Sequence, residues 1–138
     1  MTGYLFLFTL FICAMTDIAE YRIKNSILLS SASLYLICRS FFGRPLSMPL
    51  MLGPPAVVFA LLFPLFCLHL IKAGDIKLLM VTSLYLGLSG LKAILLYTVP
   101  ASVILILYCM KSQHTSLSKT RFPFAFALFL GAYPLWRL

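Results

Sequence analysis

Apolar runs follow one another along almost the whole chain, and that succession limits the fold more than any motif does. About 20 apolar residues carry a helix across a bilayer. Runs of roughly that size lie at Gly3–Glu20, Ser26–Phe42, Leu52–Ile71, Asp75–Leu88, Leu91–Met110 and Phe122–Trp136. Between them stand short breaks, with Gly43, Arg44, Pro45 and Pro49, then Lys72, Ala73 and Gly74, then Ser89 and Gly90. Lys111 to Arg121 is the one hydrophilic stretch of any size. The chain has 138 residues, 62% of them apolar and 10% charged, with a mean hydropathy of +1.05. A soluble domain of this length exposes too much surface to hide so much apolar side chain. The same numbers exclude a disordered chain and a secreted disulfide scaffold. The expected fold is an all-α integral membrane protein, a polytopic bundle of about six transmembrane helices forming one domain over residues 1–138. Pro54 and Pro55 suit the start of the third helix, and a turn is expected at Ser89–Gly90.

The charges supply an orientation. Eleven Lys and Arg stand against three acids, Asp17, Glu20 and Asp75. In a soluble protein that balance would suggest nucleic acid; between apolar runs it reads as positive-inside topology, with the lipid bilayer as partner and no nucleic acid. With the first loop cytoplasmic, that side carries Arg22, Lys24, Lys72, Lys77, Lys111, Lys119 and Arg121, seven of the eleven. Both termini then lie outside. The N-terminal run has no basic residue before it and no small-residue cleavage site after it, so it reads as a retained span. Cys13, Cys38, Cys67 and Cys109 form no C-x-x-C pair and read as buried thiols. His69 and His114 lack metal-ligand spacing with any carboxylate, so no metal and no cofactor is expected.

Asp17 ends the first run and Asp75 opens the fourth. Two crossings return a chain to the face it left, so both carboxylates lie at the same membrane face whichever way the protein is oriented. About 15 residues precede Asp17, roughly 22 Å of helix, less than a hydrocarbon core of about 30 Å. Asp17 therefore sits below the surface, where an ionisable group marks a functional candidate. Taken singly, Asp75 reads equally as a helix N-cap and Asp17 as an interfacial residue paired with Arg22 or Lys24. Helix electrostatics set the two apart: Asp75 stands at a helix N-terminus, which favours an anion, and Asp17 near a C-terminus, which does not. No Ser-His-Asp set is present, and the hydrolytic chemistry this inventory supports is a carboxylate pair activating water.

The residues around both acids resemble a known family. The segment Asp17 to Asn25, with Arg22, Ile23 and Asn25, is similar to that following the first span of type IV prepilin peptidases. Ala73 to Leu79 resembles the G-x-G-D-[VI]-K-L motif that opens their fourth helix, with Lys72 in place of the first glycine and Gly74 retained. Phe122 to Ala127, with Gly131 and Ala132, is similar to their proline-containing last span. The resemblance implies a membrane aspartyl endopeptidase of the G-x-G-D type, with Asp17 and Asp75 as the catalytic pair. It implies a prepilin or pseudopilin substrate, cut at its leader peptide, in type IV pilus assembly or protein secretion. The place implied is the bacterial inner membrane, multi-pass, with the active site near the cytoplasmic face. The family's longer members carry an N-terminal domain with C-x-x-C pairs linked to methylation; this chain is expected to be the short form without it.

In that chemistry one carboxylate takes a proton from water while the other, protonated, supports the scissile carbonyl and the leaving amine. Gly74 would permit close backbone approach, and Lys77, Arg22 and Asn25 are supporting candidates. Two alternatives compete: a non-catalytic, degenerate membrane subunit of a pilus or secretion machine, with Lys72 as its lesion, and a small proton-coupled carrier using the two acids as a relay.

Overall fold

The computed structural model describes residues 2–20, 23–42, 47–69, 71–113 and 123–137. All of its regular structure is helical: α1 (Thr2–Glu20), α2 (Asn25–Phe41), α3 (Met48–Cys67), α4 (Ala73–Gln113) and α5 (Phe124–Arg137). α1 and α4 are long and apolar enough to cross a membrane, while α3 and α5 contribute shorter apolar stretches, Met51–Cys67 and Phe124–Pro134.

α1 shows why the sequence gives a membrane helix. Phe6, Leu10, Cys13 and Asp17 recur every three or four residues, so they form one stripe, and all four are buried. The opposite stripe, Tyr4, Phe8, Phe11, Met15 and Ile18, is exposed. A surface helix of a soluble protein has a polar outer face; this one is apolar all round, as a lipid-facing helix must be.

α4 is the hub. It packs against all four other helices, and α5 fills the angle between it and α1. The core joins Phe6 and Leu10 of α1, Leu28 of α2, Val58 of α3, Leu78, Leu79, Leu91 and Ile94 of α4, and Ala125, Leu128 and Ala132 of α5. Hydroxyls fasten the centre. Thr9 Oγ1 and Ser31 Oγ lie 3.0 Å apart, Ser31 Oγ and Tyr85 OH 3.1 Å apart, and Tyr85 OH donates to the Ser31 carbonyl at 2.9 Å. Where hydrophobic burial does not drive helix association, such links between α1, α2 and α4 act as polar glue.

Three expectations about boundaries are corrected. The helices anticipated as fourth and fifth run on from each other across a kink, together labelled α4, and the break between them falls at Gly87 and not at Ser89–Gly90. Gly87 has φ 70° and ψ −177°, a backbone region open only to glycine. Unbroken, 41 residues would run about 60 Å, twice the hydrocarbon thickness. α3 starts earlier than expected, at Met48 after Ser47, so Pro49 takes the first-turn position and Pro54 and Pro55 lie inside the helix. α3 also stops at Cys67, where His69 turns the chain with φ 57°.

Candidate active site

The first carboxylate is placed by helix packing. Asp17 ends the buried stripe of α1, 3% exposed, where the C-terminal end of α1 meets the beginning of α5. Pro123 precedes α5 and has no side-chain acceptor to cap the helix. First-turn N–H groups have no partner within their own helix, and a buried one left unpaired costs about 1–3 kcal/mol. Asp17 supplies the missing acceptor: its Oδ2 takes a hydrogen bond from the Ala125 backbone N–H at 2.9 Å. This removes the electrostatic contrast expected between the two acids. Asp17 faces the end of α1, but also the positive end of α5.

The second carboxylate is placed by a helix start. α4 opens at Ala73, and the Lys72 carbonyl accepts from the N–H groups of Asp75 at 3.1 Å and Ile76 at 3.4 Å. Asp75 is thus the third residue of the helix and not its N-cap, a correction to the simplest reading of its position. From there its carboxyl interacts with the backbone of Lys72.

Asp17 and Asp75 line one cavity of about 310 Å³, shared with Ile23, Asn25, Lys72, Ala73, Gly74 and Lys77. At about 30 Å³ per water it holds roughly ten waters, or a short stretch of peptide. The two carboxylates are near enough to act on each other through their charge, and Lys72 acts on both. Lys77 Nζ donates to Asn25 Oδ1 at 3.2 Å, tying the start of α2 to α4 just past its first turn. Among the described residues no three His, Cys, Asp or Glu side chains converge as a metal site would require.

The other expected residues fall as follows. Asn25, Gly74 and Lys77 all line the cavity. Arg22 lies outside the described residues. Lys24 pairs with Glu20 at 3.1 Å on the exposed surface and not with Asp17. Gly74 lies in an ordinary backbone region, and a Cβ there would meet Ile23 Cβ at 3.5 Å, a normal contact. Its lack of a side chain keeps the cavity open; left-handed backbone freedom is not what it supplies.

Sequence reasoning missed two contributors. Lys72, read as a topology charge and as a departure from a motif, is a wall of the cavity. The Ala125 N–H, which fixes Asp17, has no side-chain signature; its one sequence signal is the proline two residues before it.

The model of the type IV leader peptidase family matches residues 4–110, which include both aspartates and every cavity residue. No curated protein and no solved structure matches the chain closely enough to add to this.

Proposed function

The chain belongs to the type IV leader peptidase family, and from that premise we propose that it is a membrane aspartyl endopeptidase that removes the leader of prepilins or pseudopilins. The observation that carries this reading is the convergence of Asp17, from the first helix, and Asp75, from the fourth, on one cavity with room for water and a short stretch of peptide. A water between them loses a proton to one carboxylate as its oxygen attacks the scissile carbonyl carbon. The other carboxyl, protonated, donates to that carbonyl and then to the leaving amine as the C–N bond breaks. The Ala125 N–H holds Oδ2 of Asp17, so one oxygen is fixed by the fold and the other serves the reaction.

The break at Gly87 supports two passes for α4 and hence six crossings by the chain. The excess of Lys and Arg on the side of the dyad supports a cytoplasmic active site in the bacterial inner membrane. A proton relay for transport would need acids nearer mid-span, whereas Asp17 lies in the last turn of α1 and Asp75 in the first turn of α4.

Co-expression with candidate prepilins from the same genome tests the proposal. The wild type is expected to shorten a prepilin on a gel, and Asp17→Asn and Asp75→Asn to leave it full length. Full cleavage by either variant overturns the dyad, and a wild type that cuts none favours the degenerate subunit.

A further inference from the structure

Lys72 is the residue whose role the family pattern leaves open. Its backbone carbonyl closes the first turn of α4, which fixes where its side chain departs. Lys72 is exposed, yet it lines the cavity with both carboxylates. The other cationic wall, Lys77, is tied to Asn25. Among the described residues the one direct ion pair is Glu20 with Lys24, so the Lys72 ammonium meets the carboxylates across the cavity and not by contact. Two carboxylates facing one small space repel each other unless a proton or a cation offsets their charge.

We propose that Lys72 is a positioning residue of the dyad, its ammonium facing the one negative charge that Asp17 and Asp75 carry while they share a proton, so that both carboxyls stay turned to one water. The inference rests on reading those two acids as the dyad. It makes the departure from the motif a working part of this site, and it opposes the reading of Lys72 as a lesion in sign. A lesion is repaired by restoring glycine; a positioning charge is destroyed by it.

The test is cleavage kinetics of the full chain in detergent, on a prepilin it cuts, for wild type, Lys72→Arg, Lys72→Met and Lys72→Gly. Lys72→Met and Lys72→Gly are expected to lower kcat by about tenfold while KM stays within about twofold, and Lys72→Arg to restore most of kcat. Wild-type kcat in Lys72→Met overturns the proposal, because the charge is then idle. Faster cleavage by Lys72→Gly than by wild type overturns it in favour of a lesion. A rise in KM at constant kcat overturns it in favour of substrate binding. The Met and Arg variants keep the side-chain stem, so they decide the matter even if glycine unfolds the start of α4. A wild type that cuts no prepilin fails the peptidase reading itself, and the inference with it, and the wild-type lane reports that outcome separately.

Discussion

The carboxylate of Asp17 caps the start of α5 through a 2.9 Å hydrogen bond from the N–H of Ala125, 108 residues further along the chain. The bond gives Asp17 two duties, one structural and one proposed as catalytic, and a substitution can separate them. Asparagine keeps an oxygen acceptor for the Ala125 N–H but cannot exchange a proton with water. Alanine removes both.

Asp17→Asn is therefore expected to lose cleavage at near wild-type stability. Asp17→Ala is expected to lose cleavage and also about 1–3 kcal/mol of stability, the cost of a buried N–H left unpaired. Thermal unfolding in detergent beside the gel assay checks the split. Glu20→Gln is the control: its partner Lys24 is exposed, such pairs contribute about 0–1 kcal/mol, and cleavage should persist.

The seat of α5 is testable at a distance from the chemistry. A Cβ on Gly131 would stand 2.8 Å from the Thr98 backbone nitrogen and 3.0 Å from its Cα. Backbone cannot yield as a side chain can, so Gly131→Ala should push α5 off α4 at a cost of about 1–3 kcal/mol. Because α5 carries the donor that holds Asp17, cleavage should fall with the melting temperature. Unchanged stability would mean that the two helices do not approach so closely.

The sequence carried the apolar helical class and the meeting of the acids at one cavity because both rest on patterns along the chain: continuous apolar runs, and two of those runs between Asp17 and Asp75. Helix ends were less legible. Ser89–Gly90 has turn composition, yet the break sits at Gly87, since only the packed structure decides which glycine takes the left-handed backbone. Pro54 and Pro55 suggested a helix start, but Pro49 occupies it, and a helix among other helices tolerates the later prolines. The Ala125 N–H was invisible for a different reason: a backbone group gains meaning only when another helix brings an acceptor to it.

Gly87 itself offers a backbone test free of packing. A Cβ there would meet nothing within 4 Å, so any cost of Gly87→Ala comes from its φ of 70° and ψ of −177°. About 1–3 kcal/mol of destabilisation is expected. Gly53→Ala, also in open space but at an ordinary helical position inside α3, should be neutral or stabilising. Equal melting temperatures for the two variants would remove the break in α4.

Gly74→Ala should uncouple stability from activity. Its Cβ would rest against Ile23 at 3.5 Å, an ordinary contact, and Gly74 lies in the first turn of α4. Gly→Ala at a compatible site stabilises by about 0.4–1 kcal/mol through the unfolded chain. The same methyl group would add volume at the wall of the cavity that Gly74 shares with Asp75 and Ile23, where the proposed reaction needs room for a water and the scissile peptide together. The variant is expected to melt no lower than wild type and to cleave at least about tenfold more slowly, because a small misplacement of reacting groups is costly. Wild-type cleavage in a fully stable Gly74→Ala would show that the reaction does not use this part of the cavity. Loss of both stability and cleavage would show instead that Gly74 supports the helix start. Only the stable and slow variant fits a glycine whose work is to leave room.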